Sequence, residues 1–134
     1  MMPKASERKW VCFMADDFAE NEKLYRAVYP LGISDMYWRK DGTVSSAAFA
    51  DPKGVSVDRG DGRDDVTVVK DMKKRFVGSI VRLYVKNCVE IGAKVKYVPS
   101  KNNPYHSEIH GSEKTVLLSK SQRRHLAKKA IILA

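Results

Sequence analysis

Short segments in which apolar and polar residues alternate are the feature of this sequence that most restricts its fold. Because successive side chains of a strand point to opposite faces of a sheet, this alternation with a period of two residues is typical of strands that bury one face. Turn-forming residues lie between the segments, for example the loop from Pro99 to Pro104 between 93–98 and 106–110. The sequence therefore predicts an α+β fold: a small mixed, mainly antiparallel sheet with a few short helices and a C-terminal amphipathic helix. The alternating segments are 54–58, 79–85, 93–98 and 106–110.

The C-terminal helix has the clearest helix signals. Ser119 and Gln122 have the spacing of a capping box. The helix is predicted to place Leu126 on its apolar side. The remaining elements are predicted from less regular patterns. They are a helix over 18–24, a strand end and helical turn over 66–75, a helix over 87–91, and strands over 10–14, 25–29 and 115–118.

The chain is predicted to form one domain. Its 134 residues suit a single compact unit spanning 1–134. Residues 1–9 are polar and are predicted to be a flexible N-terminus. Residues 59–65 contain glycines and acids but no apolar residue, so they are predicted to be a mobile loop.

Several protein classes are excluded or disfavoured by simple patterns. No apolar run approaches the ~20 residues that cross a bilayer, and no secretory signal is visible. We therefore expect a cytoplasmic protein without membrane contact. Cys12 and Cys88 have apolar neighbours and no nearby ligand at metal spacing, so both are predicted to be reduced core thiols. No phosphate loop or dinucleotide fingerprint is present, and neither a metal nor a cofactor is predicted.

Positive charge is concentrated in the C-terminal half. Residues 1–65 contain 10 Lys and Arg against 12 Asp and Glu, whereas residues 66–134 contain 15 against 4. Such asymmetry favours a polyanionic partner, either nucleic acid or an acidic protein. Tyr84, Tyr97 and Tyr105 are candidates for stacking on unpaired bases. The candidate nucleic-acid-binding residues are Lys73, Lys74, Arg75, Lys94, Lys96, Lys120, Arg123, Arg124 and Lys128.

The strand predicted over 106–110 carries candidate catalytic groups. A period of two places His106, Glu108 and His110 on one face, where imidazoles and a carboxylate can act as acid and base or bind a metal. A helix here would instead bring the two histidines together at zinc-protease spacing. The alternative to both is a solvated strand face.

A second catalytic hypothesis uses three strands. Arg26 on an early strand, Ser56 on a middle strand and Glu108 on a late strand match the order in some ADP-ribosyl-transferring enzymes, although the expected motifs are missing. The structural alternative for Arg26 is an ion pair with an acid such as Asp58.

Four segments together resemble an uncharacterised family of short bacterial proteins. They are Leu24-Tyr-Arg-Ala-Val-Tyr-Pro30, Asp41-Gly-Thr-Val-Ser-Ser-Ala-Ala-Phe49, Gly54-Val-Ser-Val-Asp-Arg59 and Asn103-Pro-Tyr-His-Ser-Glu-Ile109. The resemblance covers about residues 24–111 and implies a compact domain, with no activity to transfer. Family members usually carry an acid and an arginine where this chain has Val98 and Val89.

Three functional hypotheses remain open from the sequence. The first is a small basic module that binds nucleic acid or another polyanion through its C-terminal half, alone or as a subunit of a larger bacterial assembly. The second is an enzyme, either a hydrolase or similar to ADP-ribosyl transferases. The third is a protein-interaction subunit that docks an acidic partner.

Overall fold

The alternating segments form one antiparallel sheet. The structure is a computed structural model and describes residues 17–30 and 35–134. Within these ranges the strand order is β4-β5-β2-β1-β3-β6, and all neighbouring strands run antiparallel. The predicted α+β class is thus confirmed. The strands are β1 Lys23–Val28, β2 Val55–Arg59, β3 Ser79–Tyr84, β4 Lys94–Tyr97, β5 His106–His110 and β6 Ile131–Ile132.

Helices of different lengths connect the strands. Ser119 caps α3 as predicted: its hydroxyl accepts from the Gln122 amide at 3.1 Å, and the Gln122 side chain accepts from the Ser119 amide at 2.8 Å. None of the helices in the described ranges is long and apolar enough to cross a membrane. The helices are α1 Asp65–Lys73, α2 Val85–Val89 and α3 Lys120–Lys129, with 3-10 helices at Asp35–Tyr37 and Ser46–Phe49.

Each face of the sheet is covered by a different helix. We call one face of the sheet the α3 face. On this face, Leu24 and Leu83 share a core with Leu126 of α3 and with Phe49. On the opposite α1 face, buried side chains of β1, β3 and α1 form a second core. The strands β2, β5 and β4 extend beyond this smaller core, and Ser56 on the α1 face is exposed there. The second core contains Tyr25, Val68, Met72 and Ile80.

Two predicted elements are wrong and a third is wrong in part. No helix forms over 18–24, because the chain enters β1 at Lys23. Over 66–75 the predicted helical turn is present and is longer than expected, but the predicted strand end is absent, since the Asp64 carboxylate accepts from the Thr67 amide at 2.8 Å and starts α1. Residues 115–118 form no strand and instead turn back, with the Ser112 amide bonded to the Thr115 carbonyl.

Other predictions concern the loops and the thiols. Arg59 is the last residue of β2 and Asp65 the first of α1, so the loop is shorter than the predicted 59–65. Cys88 is fully buried, and burial raises the pKa of its thiol to about 12, which confirms a core thiol. The predictions for residues 1–9, for the strand over 10–14 and for Cys12 lie outside the described residues.

Candidate nucleic-acid interface

The nine predicted nucleic-acid-binding residues do not form one surface. Lys73, Lys74 and Arg75 lie at the end of α1, on the α1 face. Lys94 and Lys96 also point to that face, because Val95 between them is in the opposite core. The other four, Lys120, Arg123, Arg124 and Lys128, belong to α3 on the α3 face. The sheet therefore separates the predicted set into two groups.

Most cations of the α1-face group are already bonded within the protein. The Lys73 ammonium donates to the Gly78 carbonyl at 2.5 Å. Arg75 bridges Asp58 at 2.7 Å and Asp71 at 2.9 Å. Lys96 lies 3.2 Å from Glu113. These contacts join α1 to the sheet and β4 to its neighbouring loop, so they leave fewer donors for an external anion.

Helix α3 presents an unpaired row of cations. Lys120, Arg124 and Lys128 are exposed at intervals of four residues, a spacing that places them on one side of the helix. No acidic residue occurs from Ser119 to Ala134. Among residues 17–30 and 35–134, none of the three cations has a hydrogen-bonded or ion-paired side-chain partner.

A cleft beside this row of cations is lined both by α3 and by the neighbouring hairpin. It has a volume of about 620 Å³. Arg39 reaches it from a tight hairpin in which the Arg39 amide donates to the Thr43 carbonyl at 2.8 Å. The Asp41 carboxylate of this turn accepts two hydrogen bonds from Thr43, which lower its pKa together with the charge of Arg39. The cleft is lined by Arg39, Ser45, Ser46, Arg124, Ala127 and Lys128.

Arginine bonding distinguishes this region from the rest of the molecule. Of the arginines in the described ranges, only Arg39, Arg123 and Arg124 make no side-chain hydrogen bond there, and the Nε of Arg123 is buried without a partner. Two of these three line the cleft and the third is its neighbour on α3. The arginines that donate to protein groups are Arg26, Arg59, Arg63, Arg75 and Arg82.

The β5 strand places the predicted histidine face as expected. Strand pairing opposes His106 to Asp58 and Glu108 to Ser56, so His106, Glu108 and His110 all lie on the α1 face. The helical zinc-protease spacing is therefore wrong for this segment. No group of three metal-ligating side chains converges within the described part of the chain.

The two imidazoles have different partners. His110 Nε2 lies 2.8 Å from Glu108 Oε1, a pairing in which the carboxylate orients the ring. His106 Nδ1 instead lies 2.8 Å from the Val98 carbonyl. Within residues 17–30 and 35–134, neither ring hydrogen-bonds to a hydroxyl or a thiol. The face thus holds an oriented histidine without an activated nucleophile beside it.

Gly54 makes room for this histidine and carboxylate. A Cβ at position 54 would lie 2.8 Å from Glu108 Oε1 and 3.1 Å from His110 Nε2. The backbone φ of Gly54 is +106°, in the region that favours glycine. The turn before β2 is therefore packed directly against the Glu108–His110 pair.

Arg26 does not join Ser56 and Glu108 in a common site. It alternates with Tyr25 along β1, and it faces the opposite side of the sheet from Ser56 and Glu108. Its guanidinium donates to the main-chain carbonyls of Ala48 at 2.7 Å and Ser56 at 2.8 Å. Burial lowers the pKa of Arg26. The arrangement expected for ADP-ribosyl transfer is therefore absent from these three side chains.

The alternative ion pair between Arg26 and Asp58 is also wrong. Asp58 is buried on the α1 face, where it accepts from Arg75 at 2.7 Å and from Asn103 at 2.8 Å. Arg26 and Asp58 are separated by the plane of the sheet because they occupy opposite sides of adjacent strands.

A second cleft lies on the α1 face and was not predicted. Its volume is about 400 Å³, and Ser56, Arg75, Phe76 and His106 are among its lining residues. It opens where α1 ends and leaves β2 and β5 uncovered. The sequence carried one signal for it: Ser56 and His106 are polar positions next to buried residues in their strands.

The tyrosines singled out as stacking candidates are covered by arginines. Arg59 lies 5.0 Å from the ring centre of Tyr97, and Arg63 lies 3.5 Å from that of Tyr105. The guanidinium carbon of Arg82 lies 5.2 Å from the ring centre of Tyr84. Each of the three half-buried rings therefore has an arginine of the protein itself over it.

One stacked aromatic pair was not singled out by the sequence: Tyr29 is exposed, and Tyr37 is half-buried against the α3-face core. The rings of Tyr29 and Tyr37 are stacked, with centres 6.4 Å apart and an interplanar angle of 23°. Tyr29 is 57% exposed. The two residues come from the end of β1 and from a separate 3-10 helix, so only the folded chain brings them together.

Comparison with protein-family models, with curated proteins and with solved structures finds no match. The function is therefore inferred from the residues of this chain alone.

Proposed function

We propose that the protein binds nucleic acid through the exposed row of α3 and the adjoining hairpin. We call the set Arg39, Lys120, Arg124 and Lys128 the basic surface. The observation that carries the proposal is that Arg39 and Arg124 make no side-chain hydrogen bond among the described residues and line one cleft. Guanidinium groups left without protein acceptors are suited to phosphate oxygens, which they bind in a forked geometry.

The position of the cations on α3 supports an anionic ligand. The first turn contains Lys120 and Arg123 and no acid. Positive side chains are unfavourable there because the helix dipole already makes that end positive. A bound phosphate offsets both the repulsion and the dipole, so the sequence is explained by a ligand better than by helix stability alone.

The regular spacing of the row favours nucleic acid over an irregular acidic surface. Residues four apart on a helix rise by about 6 Å, so Lys120, Arg124 and Lys128 extend over about 12 Å. A nucleic-acid backbone presents unit charges in an equally regular series. Contacts of this kind position the ligand and do not read its sequence.

The salt dependence of binding tests the proposal. A labelled single-stranded 20-mer is titrated with the protein at ~50 mM and ~200 mM salt, and its fluorescence anisotropy is recorded. Four phosphate contacts predict an affinity loss of about 50-fold between these concentrations. Absence of binding at the lower salt would contradict the proposal.

A pair of matched variants locates the surface. The double substitution Arg124→Glu and Lys128→Glu is compared with Lys70→Glu and Lys74→Glu, which changes exposed residues on or beside α1 by the same net charge. We expect the α3 variant to bind at least about tenfold more weakly at 50 mM salt and to show a shallower salt dependence. The α1 variant is expected to stay close to the wild-type affinity.

The two other hypotheses give different results in this experiment. Equal weakening by both variants would mean that only net charge matters and would overturn the assignment of the basic surface. Competition with polyglutamate addresses the acidic-protein hypothesis. If polyglutamate displaces the oligonucleotide at equal charge concentration, an acidic protein is the better description of the partner.

A further inference from the structure

We infer that the stacked rings of Tyr29 and Tyr37 form a platform for an unpaired base, which makes the ligand single-stranded nucleic acid. This inference rests on the proposed function and names its substrate class. We call the two residues the tyrosine pair. Stacking on aromatic rings is the main way in which proteins hold unpaired bases without reading their sequence.

The tyrosine pair is fixed by main-chain contacts around it. The Trp38 indole donates to the Tyr29 carbonyl at 2.7 Å. The Ser45 amide donates to the Tyr37 carbonyl at 2.8 Å, and the Ser45 hydroxyl to the Met36 carbonyl at 2.6 Å. Because these bonds order both backbone segments, little conformational entropy remains to be lost when a base stacks on the exposed ring.

The tyrosine pair adjoins the basic surface. Tyr37 precedes Arg39 by two residues, a distance of at most about 7 Å along the chain. The 3-10 helix Ser46–Phe49 also connects them, because Ser46 lines the basic cleft and Ala48 lines a smaller cleft beside the tyrosines. A phosphate at Arg39 and a base at Tyr29 can therefore belong to one continuous strand.

The smaller cleft favours a base over a phosphate. It has a volume of about 180 Å³ and contains Arg26 and Asp51 next to the two tyrosines. The Asp51 carboxylate repels phosphate, whereas it can accept from the amino group of a base. Because the Arg26 guanidinium already donates to the carbonyls of Ala48 and Ser56, the Asp51 carboxylate is the group of this cleft that is suited to a base edge.

Duplex nucleic acid cannot use the tyrosine pair without opening. The base faces of a duplex are covered by neighbouring base pairs, and unstacking one costs a few kcal/mol. A single strand exposes these faces and stacks directly. The geometry thus predicts a preference for the single strand even though a duplex of the same length carries about twice the phosphate charge.

Affinities of two ligands and three proteins test the inference. A single-stranded 12-mer and the matching duplex are titrated with the wild type, with Tyr29→Ala and with Tyr29→Phe, which keeps the ring. We expect the wild type and Tyr29→Phe to prefer the single strand. Tyr29→Ala is expected to lose about 5- to 150-fold in single-strand affinity, while duplex binding stays unchanged.

A spectroscopic readout reports stacking itself. The adenine analogue 2-aminopurine, placed within the 12-mer, is expected to lose fluorescence on binding to the wild type and to Tyr29→Phe but not to Tyr29→Ala. Circular dichroism checks that Tyr29→Ala remains folded, and Tyr37→Ala serves as the second variant if it does not.

Failure of the inference is distinguishable from failure of the proposed function. Equal affinities for single strand and duplex, or wild-type single-strand affinity in Tyr29→Ala, overturn the platform but leave the basic surface intact if Arg124→Glu with Lys128→Glu still weakens binding. Absence of binding to either ligand at ~50 mM salt overturns both.

Discussion

Some residues of this protein closely approach main-chain atoms that are distant in the sequence. The sequence alone does not reveal these contacts. Gly78, which precedes β3, has a φ of +128°, and a Cβ there would lie 2.3 Å from the Val28 carbonyl oxygen. That contact cannot relax by side-chain rotation because the neighbour is backbone. The close approach of β1 to the start of β3 therefore depends on glycine at this position.

Substitution of Gly78 tests this close approach. We expect Gly78→Ala to lower the free energy of unfolding by about 3 kcal/mol, because the clash adds to an unfavourable φ. The control is Gly92→Ala, where φ is +72° but no atom lies within 4 Å of the added Cβ. We expect the control to cost about 1 kcal/mol. Equal costs in urea denaturation would show that the backbone moves to accommodate the methyl group.

At the residue scale, the sequence predicted on which face of the sheet a side chain lies better than it predicted the group to which that side chain hydrogen-bonds. Alternation correctly placed His106, Glu108 and His110 together, because strand geometry alone determines on which side a residue lies. It did not predict that Arg26 would bond to carbonyls rather than to Asp58. Partner choice depends on which strands become neighbours, and no local pattern contains that information.

At the scale of secondary-structure elements, a capping residue of α3 also hydrogen-bonds to two other parts of the fold. Gln122 accepts from the Ser119 amide, and its Nε2 donates to the carbonyls of Ile91 at 3.1 Å and Gly111 at 2.8 Å. One side chain therefore connects the start of α3 to the turn after α2 and to the end of β5.

Two substitutions separate the cap from these connections. Ser119→Ala removes one capping bond and is expected to cost about 1 kcal/mol. Gln122→Ala removes the reciprocal bond and leaves two carbonyls without their donor, so we expect a cost of about 2 kcal/mol. Urea denaturation measures both values. A smaller cost for Gln122→Ala than for Ser119→Ala would contradict the connecting role.

Element predictions succeeded where a local signal was sufficient. The capping box predicted the start of α3, and the cap does not depend on the rest of the fold. Helix α1 was largely missed because its sequence contains three valines and only Val68 and Met72 are buried. The strand predicted over 115–118 failed because Val116 and Leu117 are exposed there, and tertiary packing rather than apolar character decides the conformation.

At the scale of the whole molecule, chain topology separates the positive charge. The C-terminal half carries the excess of Lys and Arg, but α1 and α3 lie on opposite faces of the sheet. Charge counting therefore predicts a polyanionic partner, but it cannot predict on which surface that partner binds. The basic surface also includes Arg39 from the N-terminal half, which the charge count had excluded.

Amide shift mapping by NMR tests the central claim most directly. A single-stranded 12-mer is added to ¹⁵N-labelled protein at ~50 mM salt, and shift changes are mapped onto the chain. We expect the largest changes at Arg39, Ser46, Arg124 and Lys128, with Tyr29 and Tyr37 also affected, and little change in β4. Because Tyr29 also lines the α1-face cleft, the contradicting result is a set of changes concentrated at 106–110 and the end of α1 without changes at Arg124 and Lys128, which would place the ligand on the opposite face.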